Sequence, residues 1–141
     1  MKRNLYESII AIPYSFGDGV ERPGALSAVL GLYVSAADPN AVATITVTHS
    51  EEESGPYEAV KDERLFLDKT EVKRDEKGHI IQSYLETPVE AGDVANIDID
   101  LVGCARYVKI NAAYTADGAA ASVTASSVLV LGDFTQSPPE L

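Results

Sequence analysis

The stretch 97–134, IDIDLVGCARYVKINAAYTADGAAASVTASSVLVLGDF, constrains the fold more than any other part of the chain. Ile97, Ile99 and Leu101 alternate with Asp98 and Asp100, the period-two pattern of a half-buried strand. Gly103 breaks the run, as glycine does where backbone must turn. Arg106 to Tyr114 reads as a second strand, with Val108, Ile110, Ala112 and Tyr114 on one face and Tyr107, Lys109, Asn111 and Ala113 on the other. Asp117-Gly118 then supplies a hairpin turn, because both residues tolerate positive φ. Val123 to Leu131 is the return strand, and its end, Val128-Leu129-Val130-Leu131, is apolar on both faces, which predicts a covering second layer. Three sequential strands, the last deeply buried, are expected to form the central sheet of an antiparallel β domain.

The rest of the chain repeats the same grammar. Leu26 to Ala36 is a strand, Asp38-Pro39-Asn40 a turn, and Val42 to Thr48 the cleanest alternation, with Ala43, Ile45 and Val47 opposed to Thr44, Thr46 and Thr48. Short strands are expected at Tyr57–Val60 and Arg64–Leu67, the latter with Leu65 and Leu67 on one face, and a polar hairpin at Glu71–Leu85 turning at Glu76-Lys77-Gly78. Short strands at regular spacing with turn signals between them predict an all-β, antiparallel β-sandwich, jelly-roll-like. Residues 1–25 read as an N-terminal arm, 26–134 as the sandwich and 135–141, with Pro138-Pro139, as a tail. The arm has two readings: an irregular strand plus loop, or a docking arm that joins a neighbour by strand addition, for which Leu5, Tyr6, Ile9, Ile10 and Ile12 are the interface candidates.

Charge and composition exclude several classes. The net charge is −11, and residues 51–100 hold 15 of the 22 acids. Such a field disfavours a phosphate backbone, so no nucleic acid is expected as a partner. The single cysteine, Cys104, rules out an intramolecular disulfide and a multi-cysteine metal site, and is expected as a small buried side chain. Met1-Lys2-Arg3 is a basic start, but Glu7 interrupts and the following apolar run is too short for a signal peptide. No stretch approaches the ~20 apolar residues of a membrane span. The product is therefore expected to stay in the cytoplasm until something assembles it or the cell lyses.

No constellation predicts catalysis, a cofactor or a metal. His49 and Ser50 are neighbours in a strand and point to opposite faces, which forbids a direct base–nucleophile pair. Glu51, Glu52 and Glu53, with Asp62 and Glu63, lack the alternate-residue spacing of a calcium loop, so a solvated acidic loop is expected. Asp98 and Asp100 share a strand face at glycosidase-like spacing, but the chain has no Trp to line a sugar cleft. Arg106 and Tyr107 lie on opposite faces of one strand. The expectation is that Arg106 pairs with an acid such as Asp100 or Asp133, or else that the two residues meet a partner subunit.

The order of these features resembles a family of small virion proteins of tailed bacteriophages. The matching elements are Ile45-Thr46-Val47-Thr48-His49-Ser50 followed by the acidic Glu51–Gly55 loop, then Val102-Gly103-Cys104-Ala105-Arg106-Tyr107-Val108, then Val130-Leu131-Gly132-Asp133 and Pro138. Gly-x-x-Arg-Tyr-Val is the most specific of them. The chain departs from the family's compact Asp-Asp-Gly turn after the serine, having a longer loop that ends in Gly55-Pro56, and residues 62–93 have no fixed alignment. The resemblance implies a non-enzymatic capsid decoration protein on the outer head surface. It would clamp neighbouring copies of the phage major capsid protein as a homo-oligomer, for which a trimer is the expected state. The acidic balance agrees with the outer face, since the inner face meets packaged DNA. The rival readings are a head–tail or tail component and a carbohydrate-binding adhesion module.

Overall fold

A computed structural model of the chain describes residues 10–22 and 24–134. The strands are β1 (Ile10–Tyr14), β2 (Gly19–Glu21), β3 (Ala25–Ala37), β4 (Ala41–Ser50), β5 (Glu58–Ala59), β6 (Glu71–Arg74), β7 (Ile80–Pro88), β8 (Val94–Asp100), β9 (Tyr107–Ala116), β10 (Ala119–Ala120) and β11 (Val123–Phe134). All pairings are antiparallel. A four-stranded sheet runs β1-β11-β3-β8, and a second runs β10-β9-β4-β7-β6 with β2 on β9 and β5 on β4. Setting aside the short additions β5, β6 and β10, successive strands form β1-β11-β3-β8 against β2-β9-β4-β7. That is the double Greek key of a jelly roll, so the predicted all-β sandwich is what the chain forms.

The alternation read in the sequence sorts core from surface. Ala43, Ile45 and Val47 of β4, Val108 and Ile110 of β9, Leu30 and Leu32 of β3, Ile97 and Ile99 of β8, and Leu129 and Leu131 of β11 all turn inward and are buried. Each such branched side chain contributes about 1.5–3 kcal/mol by leaving water. The turns follow local chemistry. Asp117 (φ 52°) and Gly118 (φ 82°) both occupy the left-handed region that a two-residue hairpin demands. At the β6–β7 tip Asp75 Oδ1 accepts from the backbone N–H of Lys77 and of His79, at 2.9 Å each.

Four expectations are corrected. First, the three strands of 97–134 do not share one sheet: β8 is an edge of the four-stranded sheet, β9 lies in the other, and β11 returns to the first between β1 and β3. A hairpin does form after β9, but only Ala119 and Ala120 use it before the chain crosses over. Second, only one face of Val128–Leu131 is covered, and Val128 stays 40% exposed. Third, residues 64–67 are not a strand. Leu65 and Phe66 are both buried, while Leu67, 55% exposed, opens a 3-10 turn over Leu67–Lys69.

The fourth correction concerns the N-terminus. The sandwich begins at Ile10, inside the segment expected as an arm. Ile10–Tyr14 pairs with Ser127–Leu131 of the same chain, and Gly19–Glu21 pairs with Tyr107–Lys109. Ile10 is buried in the chain's own core and Ile12 packs, partly buried, against that core, so of the two readings of this segment its described part takes the strand plus loop. Leu5, Tyr6 and Ile9, like the tail 135–141, lie outside the described residues. Tyr14 locks the segment in place: its hydroxyl donates to Asp18 O at 2.6 Å and accepts from Ile110 N at 2.8 Å. Thus a residue of one sheet completes the backbone bonding of the other, just before β2 begins.

Candidate interaction surface

The two outer faces of the sandwich differ in chemistry. On the β4 sheet, Thr44, Thr46 and Thr48 stand in register with Ala113, Asn111 and Lys109 of β9, and Thr44 and Thr46 also with Glu86 and Tyr84 of β7. Lys73 Nζ lies 5.5 Å from the Tyr84 ring centroid and Lys109 Nζ 4.2 Å from that of Tyr57, so even the aromatics there carry a cation. This is a solvated face.

The four-stranded sheet is different. Its register sets Ala11, Val130, Val29 and Asp98 in one row, Pro13, Val128, Gly31 and Asn96 in the next, and Ser126, Tyr33 and Val94 in a third. The two central rows are therefore apolar except at the β8 margin, where Asp98 and Asn96 stand, and the third row sets Tyr33 and Val94 beside Ser126. Val94 is 72% exposed, and Tyr33 and Val128 are exposed with it. A shallow hollow of about 350 Å³ lies between Tyr33, Val94, Asn96 and Val128, over Gly31. Gly31 lets Val128 lie across its floor: a Cβ there would sit 3.1 Å from Val128 Cγ1 and would have to push that side chain aside. A contiguous exposed apolar area on one face is the usual mark of a contact surface.

Arg106 and Tyr107 lie elsewhere, at the start of β9. Arg106 pairs with Glu21 at 3.0 Å, not with Asp100, whose Oδ1 instead accepts from Val102 N at 2.9 Å. Both partners are exposed, so the pair contributes little stability. The Arg106 guanidinium also lies 5.3 Å from the Tyr107 ring, and the Tyr107 phenol is pushed up, first by its hydrogen bond to the Glu21 carboxylate. The two form an exposed polar cluster with β2, remote in sequence from the apolar rows.

The cationic group that holds this end of the fold is Arg22, which the sequence reading passed over. Its guanidinium donates to the carbonyls of Ala25, Cys104 and Ala105, tying β2 to the Gly103 bend. No local pattern identifies such a residue, because two of its three acceptors are main-chain atoms about eighty positions away. Beside it Cys104 is buried, and burial pushes its thiol up to about 11, so it remains protonated and unreactive near neutrality. His49 is also held by main chain: Nδ1 accepts from Ala105 N at 3.0 Å. Ser50 Oγ accepts from Glu52 N at 3.1 Å and organises the exposed acidic loop. Among the described residues no group of three or more His, Cys, Asp or Glu side chains converges as metal ligands. No helix among them is long and apolar enough to cross a membrane. Comparison with protein-family models, with curated proteins and with solved structures finds no match.

Proposed function

We propose that this chain is a structural protein of a tailed-phage particle, a decoration protein that sits on the outer head surface and clamps neighbouring major capsid subunits. The observation that carries the reading is the apolar outer face of the four-stranded sheet, set against the threonine-lined face on the other side of the sandwich. A protein with one sticky and one solvated face is suited to lie flat on a larger surface. It works by burying interface area across joints that internal pressure would open. The jelly roll supplies a rigid support, the resemblance carried by Gly103, Arg106, Tyr107 and Val108 supplies the particle, and the net charge of −11 favours the side away from packaged DNA. As a homo-oligomer, with a trimer favoured, it would present several copies of this face at one symmetry position.

The test is co-sedimentation of the purified protein with undecorated heads. The parent is expected to pellet with the heads. Val128→Asp should fold as the parent does, since Val128 is exposed, but should remain in the supernatant. Attachment that survives Val128→Asp would remove this face from the proposal, and a parent that never pellets with heads would remove the head as its site.

A further inference from the structure

We infer that the edge of β8 is a docking site for an extended, basic strand of a partner protein, bound by strand addition. Jelly rolls must deal with their sheet edges, and this chain blunts most of them. β1 carries Pro13, which has no N–H to offer. The outermost strands of the other sheet, β10 and β6, are two and four residues long. β8 is the exception: seven residues, Val94–Asp100, at the border of the four-stranded sheet, with neither proline nor glycine.

The register shows which backbone groups are left. Leu101 N donates to Leu26 O, and Val34 N to Asp93 O, each at 2.9 Å. Odd-numbered residues of this stretch therefore bond to β3, and the even ones, Asn96 and Asp98 among them, turn their N–H and C=O outward. The chain begins to pair with that outer edge itself: Asp100 N donates to Leu65 O at 2.8 Å. The chain then leaves the ladder in the Leu67–Lys69 turn, which stays beside β8 and forms one side of the groove there. Among the described residues no hydrogen bond reaches the main-chain N–H of Asn96 or Asp98.

Where a further strand would continue from Leu65 there is a groove of about 510 Å³. Its floor is apolar, formed by Phe66, Leu85 and Ile97, and its walls include Glu71, Glu86 and Asp98 against the single ammonium of Lys69. It is thus an edge with unpaired donors and acceptors, beside a pocket for alternate apolar side chains and near more acidic than basic side chains. An incoming strand would bond to Asn96 and Asp98, place every second side chain on Ile97 and Leu85, and turn the intervening basic residues toward Asp98 on the outer face of the sheet. A partner strand rich in acids is disfavoured by the same charges.

The inference does not depend on the particle reading, because its test uses neither heads nor capsid protein. The probe is a capped peptide of alternating lysine and valine, titrated into the full-length protein and followed by amide NMR and hydrogen exchange. Saturable binding that protects the Asn96 and Asp98 amides is expected, with no binding of a glutamate–valine peptide. Asn96→Pro removes one outward N–H and leaves the β3 ladder intact, so the variant should keep its melting temperature and bind the peptide about tenfold more weakly. Asp98→Lys should weaken the basic peptide and admit the acidic one. The inference is overturned if the lysine–valine peptide does not bind saturably, if it binds without protecting these amides, or if a folded Asn96→Pro protein binds it as the parent does.

Discussion

Tyr14 shows how one hydroxyl can decide whether a jelly roll closes. Its ring is buried between the sheets, and its oxygen takes the Ile110 N–H that β2 is too short to pair. Burial pushes the phenol up to about 12 from an ordinary 10.0. The folded state thus holds this proton more tightly than the unfolded state. The resulting stability is fully present below pH ~10 and is lost as pH rises from about 10 through about 12. Cys104, raised to about 11, acts with the same sign in an overlapping window that opens near pH 9. Tyr14→Phe leaves the Ile110 N–H without its acceptor and should cost about 1–3 kcal/mol at pH 7. Its stability should also fall less steeply than the parent's between pH 10 and 12. Urea denaturation across that range measures both, and a variant matching the parent in midpoint and in alkaline slope would contradict the role given to Tyr14.

Among the elements, β1 carries the clearest structural burden. It covers the outer edge of β11 and delivers Ile10, Ile12 and Tyr14 to the core, and Ser127 Oγ donates back to Tyr14 O at 2.7 Å. Removing residues 1–16 therefore strips a sheet edge and opens a cavity over Leu129 and Leu131, at several kcal/mol for the lost side chains alone. The truncated chain is expected to lose its cooperative thermal transition and its near-ultraviolet circular dichroism. A sharp, parent-like melt of the truncation would show that β1 is dispensable to the sandwich. β8 stands opposite to β1 in both place and character: one border of the sheet is closed by proline and core contacts, the other is left able to pair.

At the scale of the whole molecule, charge is segregated from structure. The acids gather in the Glu51–Ser54 loop, along the β6–β7 hairpin and on the β8 border, while the apolar rows of the four-stranded sheet carry almost none. Within the hairpin region Arg74 meets Glu63 at 2.7 Å with both side chains largely in water, an arrangement of little energetic weight. The acidic loop is exposed throughout Glu51–Ser54 and is shaped by its own hydrogen bonds, those of Ser50 Oγ with Glu52 N and of Tyr57 with Glu53 O. Replacing Glu51, Glu52 and Glu53 by glutamine is accordingly expected to leave the melting temperature unchanged, with or without calcium. A calcium-dependent rise in the parent that the triple variant lacks would show instead that the loop binds the ion.

The sequence by itself determined the class of fold and most of its strands. Alternation along β4, β8 and β9 and the positive-φ turns at Asn40, Gly78 and Asp117-Gly118 are short-range facts, settled by side chains two residues apart and by the conformational tolerance of single positions. Sheet membership is of another kind. Whether β11 should pair with β9, its neighbour in the chain, or with β1 and β3 depends on contacts such as Tyr14 with Ser127, 113 positions apart, for which local pattern carries no signal. The same distance explains why Arg106 was expected to meet Asp100 but meets Glu21, and why the hydrogen bonds of Arg22 to the carbonyls of Cys104 and Ala105 left no trace in composition. The apolar outer face was visible as the doubly apolar run Val128–Leu131, but only as a second buried face. It takes the tertiary structure to put one side of that run in water, because a two-layer sandwich has no third layer to cover it.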